Sequence, residues 1–118
     1  MPAHPRAVNT VCHIIPEIGS MRTLVVLLTP KPSYDELRGA VEPHLDGERL
    51  EHVAVLWDGL PRDMFVGECS SINGRMIRNV RATEIYRNNA LTRWPKSAPE
   101  SLPSISGPAV LFDRRVWF

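Results

Sequence analysis

Cysteine is scarce in this sequence: Cys12 and Cys69 are the only two among 118 residues, and no C-x-x-C pair occurs. A disulfide framework or a zinc knuckle needs more cysteines than this, so neither is predicted. Because reduced compartments keep such thiols free, we expect a cytoplasmic protein. No apolar run approaches the ~18–20 residues of a membrane-spanning helix, and no signal-peptide core is recognisable, so we expect neither a membrane partner nor export.

Phosphate-binding loops are also missing. The seven glycines are scattered as single turn residues. Neither G-x-G-x-x-G nor G-x-x-x-x-G-K-[ST] occurs, the two patterns whose backbone amides cradle phosphates. His4, Cys12 and His13 lack the spacing of zinc ligands. We therefore expect no cofactor and no metal site.

The net charge is only +1, but the charges are unevenly distributed along the chain. Residues 1–74 carry six Lys/Arg against ten Asp/Glu, whereas residues 75–118 carry eight against three. A basic half favours contact with phosphates or with an acidic face of another protein. The overall charge is nevertheless too small to be typical of a dedicated nucleic-acid binder.

The first convincing secondary-structure element is a continuous apolar run from Arg22 to Thr29, which predicts a strand buried on both faces. Residues 1–20 show no sustained periodicity and are predicted to be an N-terminal tail or extension. Residues 21–118 are long enough for one hydrophobic core and are predicted to form a single α+β domain. Ser33 and Glu36 make an S-x-x-E capping box, which predicts the start of a helix.

That first helix should pack on the sheet through one apolar stripe. Leu37, Val41 and Leu45 repeat at i, i+4 and i+8, and Pro43 is expected to end or kink the helix. A strand from Leu50 to Trp57 follows. The turn signal Asp58-Gly59 then predicts a hairpin, whose second arm carries Pro61 and is expected at the sheet edge.

The last part of the chain predicts a second helix and a last strand. Asn79 is a credible N-cap for a helix from Val80 to Arg93. A short strand from Ala109 to Phe112 and a docked apolar terminus complete the order β-α-β-β-α-β. This order is typical of an α+β fold with a small mixed sheet of about four to five strands and two helices on one face. The edge near Pro61 or the C-terminal strand leaves homodimerisation open.

Arginines are concentrated around the second helix. The expected partner-binding residues are these arginines and the nearest or terminal tryptophans: Arg75, Arg78, Arg81, Arg87, Arg93, Trp94 and Trp117. Planar guanidinium groups suit carboxylates and phosphates, and tryptophan is a frequent interface anchor. The alternative is a solvated structural helix, because Glu84 lies three residues from both Arg81 and Arg87 and can pair with them.

Catalytic chemistry has weaker signals, and we predict no catalytic residue. Cys69 follows a carboxylate near a turn and is a nucleophile only if a histidine lowers its pKa, yet none of the four histidines stands at a recognisable family spacing. A lone cysteine is more often a small buried apolar side chain. The acidic residues Asp35, Glu36, Glu42, Asp46, Glu48 and Glu51 are interpreted as a solvated acidic face rather than an acid–base pair.

Two segments, from Ile72 to Tyr86 and from Ile105 to Phe112, resemble a family of small uncharacterised phage- and plasmid-borne domains. Those domains show a Gly-Leu-Pro-x-Asn-x-x-Ala stretch and a later Ile-x-Gly-x-Ala-hydrophobic ending. The matching residues are Gly74, Asn79, Ala82, Ile105, Gly107 and Ala109, whereas Met76-Ile77 replaces Leu-Pro. The resemblance implies a mobile-element origin and a host cytoplasm, and it supplies no catalytic residue.

These observations lead to three functional hypotheses. The first is a non-enzymatic phage-type accessory protein that binds and modulates or inhibits a host macromolecule, such as a defence component. The second is a nucleic-acid-binding protein that uses the same arginines. The third is a small enzyme that uses Cys69 or a carboxylate.

Overall fold

A computed structural model describes residues 6–68, 77–93 and 104–118, and it describes the side chains of the second helix as far as Asn89. The elements are β1 Val8–Ile15, β2 Arg22–Leu28, α1 Tyr34–Val41, a 3₁₀ turn Glu42–His44, β3 Leu50–Trp57, β4 Leu60–Gly67, α2 Val80–Arg93 and β5 Ala109–Phe112. The fold is α+β, as the sequence predicted. Cys69, Arg75, Trp94, His4 and the turn at residues 73–74 lie outside the described residues, as does the Arg93 side chain.

The five strands form one sheet in the order β2-β1-β5-β4-β3, and every pairing is antiparallel. Two hairpins, β1–β2 and β3–β4, are therefore joined side by side by the last strand. The prediction of a mixed sheet was wrong in this respect, because each hairpin turn reverses the chain and β5 runs opposite to both its neighbours.

The local signals for α1 and for the β3–β4 hairpin are confirmed. The Ser33 hydroxyl accepts from the Glu36 amide and the Glu36 carboxylate accepts from the Ser33 amide, so the capping box is complete. The helix ends at Val41, and Pro43 stands in the 3₁₀ turn that follows. Asp58 and Gly59 have φ of 53° and 75°, the left-handed pair that a two-residue hairpin turn requires.

Each helix covers a different face of the sheet. On the α1 face, the core contains Leu37, Val41, Phe65, Val110 and Phe112; on the α2 face, it contains Met64, Ala82, Ile85, Ala109 and Leu111. Alternate residues of β5 point to opposite faces, which is why all four are buried. The expectation of both helices on one face was wrong because β5 is apolar at every position and must be covered on both sides.

Four further predictions need correction. The run at residues 22–29, predicted to be a strand buried on both faces, forms the edge strand β2, with Val25 and Leu27 exposed. Residues 8–15, predicted to lie in a tail or extension, form β1 and pair with both β2 and β5. The arm that carries Pro61 is internal, since β5 covers β4 at residues 64–66 and leaves Pro61 beyond that pairing. The C-terminal strand β5 is the central strand. Both strands that were expected to pair with a second copy, β4 and β5, are therefore internal in the strand order.

Candidate protein-interaction surface

The start of α2 is fixed by one buried side chain, Asn79. Its Oδ1 accepts from the Ala82 amide at 3.0 Å, and its Nδ2 donates to the carbonyls of Ile15 and Gly107, each at 2.9 Å. The side chain thus caps the helix and ties it to the end of β1 and to the loop before β5. Asn79 is fully buried, and its three hydrogen bonds fix where α2 begins relative to β1 and β5.

Exposed apolar and basic side chains surround this fixed helix start. Ile18, Ile77 and Val80 are 73%, 56% and 57% exposed, and Arg78 and Arg81 are exposed beside them. We call these five residues the α2-start surface. Apolar side chains of this size are usually covered in a folded domain, and apolar residues beside arginine are typical of the centre of a protein interface.

A shallow groove of about 260 Å³ lies at this surface, between the β1–β2 turn and α2. It is lined by Pro16, Glu17, Gly19, Val80, Arg81 and Glu84. In the described part of the chain, neither the Arg78 nor the Arg81 side chain makes a hydrogen bond or an ion pair. The expected pairing of Glu84 with Arg81 is thus not made there, and both guanidinium groups remain available to a partner.

The structure brings together only part of the predicted binding set. Arg78 and Arg81 are both exposed, one on each side of Asn79 in sequence, whereas Arg87 is half-buried and already engaged. Trp117 lies on the α1 face, where its ring stacks on His52 with centroids 4.9 Å apart and planes 7° from parallel. It is therefore on the opposite side of the sheet from α2. Arg75, Trp94 and the Arg93 side chain are not among the residues described.

The sequence interpretation missed the three apolar members of the α2-start surface. Ile77 and Val80 flank the N-cap and Ile18 is in the turn before β2, so their common location depends on the Asn79 contacts. One signal was present in the sequence. At 100° per residue, Val80 lies on the side of α2 opposite Ala82 and Ile85, which indicates that an apolar residue begins the helix on its solvent side.

A polar cluster on the α2 face has the connectivity of a hydrolase relay. His13 Nδ1 is 3.2 Å from Thr23 Oγ1, and His13 Nε2 is 2.8 Å from Asp113 Oδ1. In such relays the carboxylate is buried behind the histidine, but here the Asp113 side chain is 38% exposed and that of His13 only 14%. Arg62 also binds Asp113. The cluster therefore joins β1, β2 and β4 to the end of β5, and we assign it no catalytic role.

The buried carboxylate Asp63 is fully engaged as well. It binds His52 Nε2 at 2.7 Å through Oδ1, and its Oδ2 accepts from the amides of Val116 and Trp117 at 2.8 and 3.0 Å. Burial by itself would raise the pKa of Asp63, but these hydrogen bonds and the neighbouring His52 lower it below its ordinary value. A carboxylate with a lowered pKa is a weak base, and this one fastens the C-terminal segment.

Other reactive groups give no catalytic arrangement. Burial first, and then the charge of Asp113, raise the pKa of the Cys12 thiol, so it stays protonated. Two carboxylates of the expected acidic face instead accept backbone hydrogen bonds, Glu36 from Thr29 and Glu42 from Leu50. Over residues 6–68, 77–93 and 104–118, no three His, Cys, Asp or Glu side chains come together as metal ligands, and no helix is long and apolar enough to cross a membrane.

Comparison with known proteins adds no assignment. No family model, no curated protein and no solved structure matches the chain.

Proposed function

We propose that this protein is a non-enzymatic accessory protein that binds a host protein through the α2-start surface and thereby modulates or inhibits it. The observation that carries the proposal is that Val80 and Arg81 line a groove against the β1–β2 turn at a helix start fixed by Asn79. Ile18, Ile77 and Arg78 are exposed on the segments that flank it. The resemblance to phage- and plasmid-borne domains supports a target in the host cytoplasm, with defence components as one class.

The chemistry of the surface also defines the partner. The two guanidinium groups form bidentate hydrogen bonds with carboxylates, and Ile18, Ile77 and Val80 need an apolar counterpart. The partner surface should therefore have an apolar centre flanked by aspartate or glutamate. Because the α2 start is fixed by Asn79, little conformational entropy is lost on binding.

Two observations favour a protein over a nucleic acid as the partner. Glu17 and Glu84 line the same groove as Arg81, so the groove carries charges of both signs, which suits a mixed protein surface better than a uniformly anionic phosphate backbone. Tyr86 is packed against the core of the α2 face, so its ring is not free to stack on a base. Nucleic-acid binding through Arg78 and Arg81 is the second candidate, and the same experiment distinguishes the two.

The test is affinity purification of the tagged full chain from the host cytoplasm, with and without nuclease, read by mass spectrometry. We expect one protein to be retained after nuclease treatment and lost with the variant Arg78→Glu/Arg81→Glu. The matched control is Arg6→Glu/Arg49→Glu, which changes the net charge equally at exposed positions outside the α2-start surface and should retain the partner.

Titration of the purified partner then gives the dissociation constant of each variant. Reversal of both arginines should weaken binding by roughly tenfold or more, since central arginines are frequent hot spots. Equal binding by Arg78→Glu/Arg81→Glu and by wild type would refute this surface. Enrichment that disappears with nuclease, and that falls steeply with salt, would instead establish the nucleic-acid alternative.

A further inference from the structure

The two edges of the sheet differ in how they are protected. Edge strands expose unpaired backbone groups, and proteins guard them with charges, prolines, bulges or a covering element. Strand β3 is guarded: Asn89 of α2 donates to the Ala54 carbonyl at 2.7 Å, and Glu51 is exposed on the strand. Within the described part of the chain, the other edge strand, β2, pairs only with β1.

Strand β2 has none of these guards along most of its length. Residues 23–28, with the sequence TLVVLL, include no charge, proline or glycine. Leu24, Val26 and Leu28 pack on the α1 face. The alternate residues Val25 and Leu27 therefore point to the α2 face, where they are 60% and 67% exposed. An apolar and unguarded edge is a template for another strand.

We propose that β2 pairs with β2 of a second copy of this chain, antiparallel about a two-fold axis at Val25, to form a continuous ten-stranded sheet. In this register residue i opposes residue 50 − i, so Val25 opposes Val25 and Thr23 opposes Leu27. Each exposed Leu27 gains cross-strand neighbours, and no charged residues face each other within residues 23–27. Such an isologous contact closes on itself, which prevents the edge from recruiting a third chain.

Charges at the ends of the strand confine this pairing to its apolar middle. Arg22 is exposed and lies on the α1 side of the sheet, because it is paired with Ile14, whose side chain is in the α1-face core. The other end of β2 leads to α1, where Glu36 holds the Thr29 amide and Asp35 is exposed in the first turn. Antiparallel pairing brings Arg22 of one copy near that end of the other, where Lys31 is exposed and Arg114 binds the Thr29 and Pro30 carbonyls. The charges there are of both signs, so the apolar residues 23–27 carry the contact.

Sedimentation equilibrium of the full chain, from low micromolar to near-millimolar concentration, tests the proposal. We expect a reversible monomer–dimer equilibrium. Val25→Lys places two ammonium groups opposite each other at the axis and should raise the dissociation constant by about tenfold or more. The control Leu60→Lys changes a residue of similar exposure at the start of β4 and should dimerise like wild type.

Far-UV circular dichroism of the dilute proteins checks that each variant is folded. A chain that stays monomeric throughout the range overturns the proposal, as does a dimer unaffected by Val25→Lys. This dimer does not depend on the α2-start surface, which lies outside β2.

Discussion

Asn79 shows how much of this fold one polar side chain can hold. A serine or threonine would cap α2 equally well, but only an amide also supplies the donor that reaches the two buried carbonyls of Ile15 and Gly107. The N-cap role was predicted from the residue type. The donor role could not be predicted, because its acceptors are 64 and 28 residues away in sequence.

We expect Asn79→Ala to lower the free energy of unfolding by about 2–4 kcal/mol, since it removes a cap and leaves buried carbonyls without a donor. Urea denaturation gives the value. Ser33→Ala, which removes the cap of α1 at an exposed position, is the matched control and should cost about 1 kcal/mol. Equal losses in the two variants would show that the Asn79 amide contributes nothing beyond capping.

Asp63 makes the free energy of unfolding depend on pH in the acid range. Its pKa is lower in the folded chain than its ordinary value of 3.8. The stabilisation is therefore complete above about pH 4 and is lost as pH falls through the folded pKa. Asp63→Asn should lower stability at neutral pH by about 1–3 kcal/mol.

The decisive measurement is the free energy of unfolding between pH 5 and the acid limit of folding. The Asp63→Asn curve should be shallower than the wild-type curve, because one proton fewer is taken up on unfolding in acid. Some slope should remain, since Glu36 and Glu42 also have lowered pKa values, each mainly from a backbone hydrogen bond. Parallel curves would mean that Asp63 does not have a lowered pKa.

At the scale of elements, signals that depend only on neighbours in sequence were sufficient to predict α1 and the β3–β4 hairpin. The capping box, the stripe of Leu37, Val41 and Leu45, and the Asp58-Gly59 turn each act within a few residues, and all three are present in the structure. Strand β1 escaped prediction because His13 lies on it among apolar residues. That polar side chain is satisfied by Thr23 and Asp113, which belong to other parts of the sheet.

Replacement of two glycines by alanine should change the free energy of unfolding in opposite directions. Gly39 is exposed inside α1 with open space around its Cα, so Gly39→Ala should stabilise the protein by about 0.5–1 kcal/mol. Gly59 has φ +75° in the β3–β4 turn, so Gly59→Ala should cost about 1–2 kcal/mol although nothing crowds it. The midpoints of urea denaturation give both values if the dependence of the unfolding free energy on urea concentration is unchanged. Effects of the same sign would contradict the left-handed conformation of Gly59.

At the scale of the whole molecule, the sheet order could not be inferred from the sequence. Hairpins were predictable from their turns, but the insertion of β5 between β1 and β4 depends on contacts about 100 residues apart along the chain. The same is true of the α2-start surface, which joins the β1–β2 turn to α2. Both of its arginines were predicted from the sequence, whereas its apolar members could be identified only from the fold.

Deletion of residues 1–20 should abolish cooperative folding. It removes β1 with the buried Cys12, Ile14 and Ile15 and separates β2 from β5. Burial of each large aliphatic side chain contributes about 1.5–3 kcal/mol, and small domains have only about 5–15 kcal/mol in total. Circular dichroism during urea titration is the measurement, with deletion of residues 1–5, which spares β1, as the control. A cooperative transition in the longer deletion would show that β1 is dispensable.

The central place of β5 has a consequence for synthesis on the ribosome. Roughly forty residues separate the end of β4 from the start of β5, and translation adds them in about 2–8 s. Each hairpin can form within about 10 μs of its emergence, but until β5 arrives β1 and β4 both present open edges. Neighbouring nascent chains on one polysome can pair through those edges, so the time taken to translate this segment sets how long each chain is exposed to misassembly.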